Sequence, residues 1–401
     1  MSMLIIGLDG GASKISGWEV LRSEIDGTFS IGKLNAQQQY HKQSTFIPDF
    51  QPVNINIQLD ELKSNQIHIT DEERQQGQAY IRSCAEVVIE LVEKRRTSHV
   101  LIGIGMPGLK TRDKRGIGAL ANGPRMPGYC LDVENELQEA GVRLEYPIHH
   151  LGSDADYCGV GEEYFESGGF RHVDNAYYLG GGTGTADALK LHGKLILLDQ
   201  TKDWLAKTWE LQNDRGYSLE RFASANGIQR LYSDYADIPV SELNERRIFP
   251  PQIFKLAMNG EKEALHLFSD VSYWLAELIF ERISTIYVGW QDRFSFVNPN
   301  RTLPVKEHPF RGTLFDTLIL GQRLADLMES AQRTGILWEP FLRHLTDLIQ
   351  TSSAIDEKAK RHYVKNEIFN TNRIHISRLR EAPALGAGVD AYRYYQRNSK
   401  K

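Results

Sequence analysis

Apolar positions along the chain switch between a period of two and a period near 3.6, and the order of the switches predicts an α/β protein. Residues 3–8 and 16–21 read as adjacent strands. Thr70, with Glu73 three residues on, forms a capping box ahead of a helix whose Tyr80, Cys84, Val87 and Leu91 recur at helical spacing. A strand at 100–106, VLIGIGM, follows. In the second half Val271, Trp274, Leu275, Leu278 and Ile279 mark a long amphipathic helix, and 317–320 and 373–377 read as strands before a closing helix. Stripes of this kind predict core.

Two strands open directly into glycine turns. The run LDGGASKIS at 8–16 carries Asp9, Gly10, Gly11, Ser13 and Lys14. Glycines let backbone approach a ligand or take a positive φ. A carboxylate can face a divalent metal, and a hydroxyl and an ammonium can donate to phosphate oxygens. A plain hairpin turn uses the same glycines. The second run, YYLGGGTGT, carries Gly182, Thr183, Gly184 and Thr185, after which ALKLHGKLIL predicts a hairpin turned at His192 and Gly193. Between them IHHLGSDADYCGVGEEYF places Asp154 and Asp156 at the start of a predicted helix, where Asp also serves as a cap.

Taken together, these segments resemble the ROK family of sugar kinases in the actin-like superfamily. The first turn is similar to the family's DxGGTK, with Ser13 in place of Thr. Ser153, Asp154, Ala155 and Asp156, then Gly161 and Glu162, resemble its catalytic segment, and Gly182, Thr183 and Gly184 its second phosphate turn. The likeness continues in the family's order at Met106, Pro107 and Gly108, at Asn122, at Glu220, at Gly321, and at Gly386 and Ala387. The resemblance implies an α/β, two-lobed actin-like ATPase (ribonuclease H-like) fold with a central cleft. Its N-terminal lobe spans 1–150, completed by a helix at 384–401, and its C-terminal lobe spans 151–383.

It also implies ATP- and Mg²⁺-dependent phosphorylation of a hexose or amino-sugar hydroxyl. Asp154 is the expected general base, since a sugar hydroxyl is a poor nucleophile until its proton is accepted. Asn122, Ser153, Asp154, Asp156, Glu210 and Glu220 are expected on the sugar. Asp9, Gly10, Gly11, Ser13, Lys14, Gly182, Thr183, Gly184, Thr185, Gly321 and Gly386 are expected on the nucleotide, with Asp9 meeting its magnesium.

The chain departs from the family at several points. Asp156 stands where Asn is usual, so it accepts but does not donate when ionised, or instead caps the helix. The segment Glu210, Leu211, Gln212 and Asn213 lacks the histidine and the following cysteines of the zinc-bearing members, so no structural zinc is expected. Asp187 follows the second phosphate turn, an acid that must point away from a triphosphate or meet magnesium. Gln322 follows Gly321, where a second glycine is common.

Composition narrows the alternatives. At 401 residues two domains are expected. The 41% hydrophobic and 25% charged content is ordinary for a globular chain, and a net charge of −5 gives no basic footprint for nucleic acid. Three scattered cysteines without CxxC spacing indicate neither a disulfide framework nor a zinc site, and imply a reducing, cytoplasmic setting. No window reads as a membrane span or signal peptide. Expected partners are a small-molecule sugar and a nucleotide, and a homodimer is compatible with the pattern.

Three stretches lie outside the family pattern: 23–68 (with polar QQQYHKQ and alternating VNINIQL), 290–312 and 350–370. They predict surface decoration, a shaped substrate mouth or an oligomer contact. Two other readings stay open. One is a non-catalytic, sugar-sensing ROK relative, disfavoured because no helix-turn-helix precedes the first glycine turn. The other is a superfamily ATPase coupled to a protein partner.

Overall fold

The computed structural model describes residues 3–399. The chain divides into two compact units, one formed by residues up to Arg171 together with the segment from Glu381, the other by His172–Arg380.

The first unit is built on a six-stranded sheet. Its strands are β1 (Leu4–Gly10), β2 (Lys14–Arg22), β3 (Phe29–Gln39), β4 (His99–Gly105), β5 (Arg143–Leu144) and β6 (Leu151–Gly152). They run in the order β3-β2-β1-β4-β5, with β6 also on β4. β1, β2 and β3 form an antiparallel meander, and β4 joins β1 in parallel. The five-stranded sheet of the second unit repeats this plan. It holds β7 (Ala176–Gly181), β8 (Thr185–Leu191), β9 (Lys194–Ile196), β10 (Thr317–Gly321) and β11 (Ile374–Ile376), in the order β9-β8-β7-β10-β11. β7 and β8 are antiparallel and β10 joins β7 in parallel. Each glycine turn therefore sits between the first two strands of its own sheet. The hairpin expected at His192 and Gly193 forms, both residues taking positive φ.

Four helices matter for the site: α1 (Asp71–Arg95), α2 (Asp154–Tyr164), α3 (Lys262–Val288) and α4 (Ala382–Asn398). The Thr70 capping box is present, with both arms at 3.1 Å. The expected stripe of α1, with Cys84, Val87 and Leu91, is fully buried in the core of the first unit.

The closing helix α4 lies directly on β1 and β4. A methyl group on Gly7 would stand 1.8 Å from the Ala384 carbonyl oxygen, and one on Gly103 1.9 Å from that of Ala387. These two positions accept only a hydrogen, because the backbone of α4 occupies the space a side chain needs.

One expectation changes, and the stretch left open at 23–68 is partly resolved. Residues 151–171 belong to the first unit, because β6 pairs with the end of β4 and α2 packs on α4. The stretch 23–68 is not decoration throughout, since β3 pairs with β2 as the sheet's outer strand. Within it VNINIQL does not form a strand. Asn54 caps a helix at Ile55–Ser64, its side chain accepting from the Asn56 amide, so a local cap overrides the apparent alternation.

Replacing Gly103 by alanine is expected to destabilise the protein by about 1–3 kcal/mol, since the added methyl must displace helix backbone. Urea unfolding measures this, and an unchanged midpoint would mean that α4 does not pack as described.

Candidate active site

The buried strand β1 ends at Asp9 and Gly10, with Asp9 opposite Gly105 on parallel β4 and Ser16 on β2. Carboxyl ends of parallel strands are where open α/β sheets bind ligands. The turn is closed by the Gly11 amide donating to the Lys14 carbonyl at 2.9 Å, and anchored by the Tyr80 hydroxyl donating to the Ala12 carbonyl at 3.1 Å. Neither Gly10 nor Gly11 has a positive φ. Gly10 is constrained instead by packing: a methyl there would meet the buried Met106 sulfur at 1.8 Å, so that side chain would have to shift. Ser13 and Lys14 are exposed, and the Lys14 ammonium donates to Gln37 Oε1 at 3.0 Å.

Asp154 reaches the same end of the sheet from α2. Ser153 is the N-cap residue and its side chain makes no capping bond, so Asp154 and Asp156 both lie inside the first turn and neither is the cap. Backbone contact fixes this placement. The Met106 amide donates to the Gly152 carbonyl at 3.1 Å, and the Tyr157 ring fills the space beside Gly152 and Gly105. Burial pushes the Asp9 carboxyl up from its ordinary 3.8 to about 7; the nearby charge of Asp154 adds to the rise and Lys14 opposes it. The two carboxyl groups thus share one electrostatic neighbourhood. Asn122 lies exposed in the turn at 121–123.

In the second unit the Gly182 amide donates to the Gly184 carbonyl at 2.9 Å, closing the turn between β7 and β8. Glu220 is engaged here. Its Oε2 accepts from the Thr185 amide at 2.8 Å and the Thr185 hydroxyl at 3.2 Å, and a methyl on Gly184 would stand 2.8 Å from it. Glu210 is engaged as well, accepting from the Lys207 amide at 2.7 Å and from Arg301 Nε at 3.0 Å. Both glutamates expected on the sugar are therefore held by their own unit. Arg301, the partner of Glu210, comes from the stretch 290–312 that the sequence left without a role.

Asp187 points away from the turn. It is buried and accepts from Tyr177 Oη and Thr208 Oγ1, both at 2.6 Å, with Arg282 of α3 at 3.6 Å. Its charge is thus neutralised in the interior. Gln322 takes a φ of 55°, the left-handed conformation that glycine adopts without strain, and its Oε1 would be 2.7 Å from a methyl on Gly182. The side chain of Gln322 lies over the second glycine turn, a placement that sequence reasoning missed. Gly321 is buried with the Tyr178 ring against it. Gly386, expected on the nucleotide, is instead a packing residue of the first unit. It lies buried in α4, where a methyl would stand 2.0 Å from the Tyr157 carbonyl oxygen.

This arrangement, with a glycine turn in each of two similarly wound sheets and an aspartate heading α2, is similar in fold to solved ROK family sugar kinases. The chain aligns with a ROK family glucokinase from Streptomyces griseus, solved with glucose and AMPPNP, at a TM-score of 0.57 and 15% identity over 97% of this chain and 99% of that one. A ROK hexokinase from Thermus thermophilus matches at 0.51 and 17%, covering 99% and 100% of the two chains. A ROK family protein from Streptococcus pneumoniae TIGR4, solved with sucrose, matches at 0.52 and 13%, covering 98% and 100%. No protein-family model matches the sequence, and no curated protein matches it. At these identities the likeness establishes the fold. Among the described residues no helix is long and apolar enough to cross a membrane.

Two outcomes test the geometry. A folded-state pKa raised to about 7 for Asp9 means that its contribution to stability is present below about pH 4 and lost as pH rises through about 7. Wild type should therefore lose stability relative to Asp9→Asn between pH 4 and pH 8 when no ligand is added. Parallel curves from chemical denaturation would remove Asp9 from a buried site. Second, Glu220→Ala should cost about 1–3 kcal/mol of stability without ligand, because the Thr185 amide loses its acceptor. A glutamate serving only as a sugar ligand would leave the ligand-free protein unchanged.

Proposed function

We propose that the protein is a sugar kinase that transfers the γ-phosphoryl group of ATP to a hydroxyl of a hexose or amino sugar. The observation that carries this reading is geometric: β1 ends at Asp9 and Gly10, β6 pairs with the end of β4, and α2 begins at Asp154 directly after β6, so both carboxylates come to the carboxyl ends of these strands. In this reading Asp154 accepts the hydroxyl proton as the sugar oxygen bonds to the γ-phosphorus and ADP departs. Asn122, Ser153 and Asp156 remain the sugar-contacting candidates. Glu210 and Glu220 act by positioning: Glu220 shapes the second glycine turn, and Glu210 ties the neighbouring segment to Arg301.

Asp9 suits magnesium carried with a nucleotide, a cation usually held by one or two carboxylates plus phosphates and water. A carboxyl whose proton affinity is raised by burial, and further by a second acid, is a donor that a divalent cation would hold ionised. When bound, the ion would neutralise charge on the phosphate oxygens. The glycine turns at Gly10 and Gly11 and at Gly182, Thr183 and Gly184 are the proposed phosphate-binding backbone, with Ser13, Lys14, Thr185 and Gly321 beside them.

A second reading, a sugar-sensing protein without turnover, is favoured by one observation: Glu210 and Glu220 already have partners. Turnover separates the two. Asp154→Asn keeps the size of the side chain but removes the base, so phosphoryl transfer should fall by about 100-fold or more while sugar affinity changes little. A coupled ADP-release assay beside calorimetry measures both, and undiminished transfer in the variant would place the base elsewhere.

A further inference from the structure

The segment leading into β6 carries two consecutive histidines whose rings converge on one residue of α4. His149 Nε2 lies 3.0 Å and His150 Nε2 3.2 Å from the same oxygen, Asp390 Oδ2. The Tyr157 hydroxyl of α2 lies 3.1 Å from that oxygen and 3.4 Å from His150 Nε2. His149 is almost fully buried and stacked on Tyr394 with ring centroids 4.2 Å apart, while the side chains of His150 and Asp390 each keep 31% exposure. The cluster is thus fixed on one side and open on the other.

We infer that His149, His150 and Asp390 form a binding site for one divalent transition-metal ion of the zinc type. Two imidazoles and one carboxylate are a ligand set that suits zinc and its neighbours and leaves a coordination position open. Bond lengths of about 2.0–2.1 Å in a tetrahedral site put neighbouring donors about 3.3 Å apart. The separations of 3.0 and 3.2 Å fit after an outward shift of a few tenths of an ångström, and the three ligand atoms lie within 4.8 Å of one another.

Hydrogen bonding alone accounts for the cluster less well. Two ring nitrogens and a phenol oxygen surround a single carboxylate oxygen, which offers about two lone-pair sites. A cation among the three ligands removes that crowding, because each imidazole then presents a lone pair to the ion and carries its proton on Nδ1. Tyr157 then donates to the coordinated carboxylate and orients it. The ion would clip the segment before β6 to α4 within the first unit. This site lies outside the cysteine loop considered in the sequence, and it is independent of the kinase reading.

The test uses full-length protein without a histidine tag, stripped with a chelator and titrated with Zn²⁺ and with Co²⁺. The expected result is one metal per chain by elemental analysis after removal of excess, a raised Tm, and the visible ligand-field band of coordinated Co²⁺. His150→Ala and Asp390→Asn should each weaken binding by about 100-fold or more, whereas His41→Ala, at an exposed histidine elsewhere, should leave it unchanged. Near-UV circular dichroism of each variant verifies the fold, and Asp390→Asn preserves side-chain size. Absence of a Co²⁺ band and of any Tm shift in the wild type would overturn the proposal. So would equal metal affinity in folded wild type, His150→Ala and Asp390→Asn.

Discussion

The first unit depends on how closely α4 approaches its neighbours. Carbonyl oxygens of Ala384 and Ala387 occupy the space above Gly7 and Gly103, so the helix lies on β1 and β4 with no side chain between. The same helix meets α2 backbone to backbone, where Gly161 faces the Ala382 carbonyl and Gly386 that of Tyr157. Those contacts fix the height and direction of α2, and α2 begins at Asp154. The sheet brings Asp9 to its edge through parallel pairing of β1 with β4, and α4 aligns the helix that brings the second carboxylate. Chemistry at that edge is thus a consequence of backbone packing by the last element of the chain.

The second unit holds its glycine turn by polar means. Arg282 is fully buried, 2.7 Å from Glu281 and 3.6 Å from Asp187, and lies over the Tyr177 ring at 5.5 Å from its centroid. Buried ion networks are weak sources of net stability, but removing one partner strands the others at a cost of several kcal/mol. The network therefore constrains where β7, β8 and α3 sit relative to one another. It also turns the acid after the turn inward, away from the backbone amides that would face phosphate. Glu220 completes the arrangement by accepting from Thr185 at the start of β8.

What the sequence revealed was local. The strand-to-glycine turns, the Thr70 capping box, the His192 hairpin and the helix opening at Asp154 each depend on residues a few positions apart, and each is found. β3 was hidden because its polar run QQQ is an outer strand of the sheet, where polarity carries no penalty. The helix at Ile55–Ser64 was hidden by a chance alternation that Asn54 overrides. The protein partners of Glu210 and Glu220 were hidden because they are remote: Arg301 lies 91 residues away and Thr185 lies 35 residues away. His149 and Asp390 are separated by 241 residues, so no spacing rule joins them. The backbone of Gln322 keeps a glycine's conformation at a position where the resemblance leads one to expect glycine, but the placement of its side chain over the second turn could not be read from the sequence.

The central claim, that this fold carries out phosphoryl transfer to a sugar, is tested most directly by the product. The purified protein is incubated with ATP, Mg²⁺ and each of a panel of hexoses and amino sugars, and the mixtures are examined by mass spectrometry, with calorimetry on the same samples. The account predicts a sugar monophosphate formed in step with ADP for at least one sugar. Sugar and nucleotide binding without any sugar monophosphate would contradict it, and would leave the fold as that of a sensor.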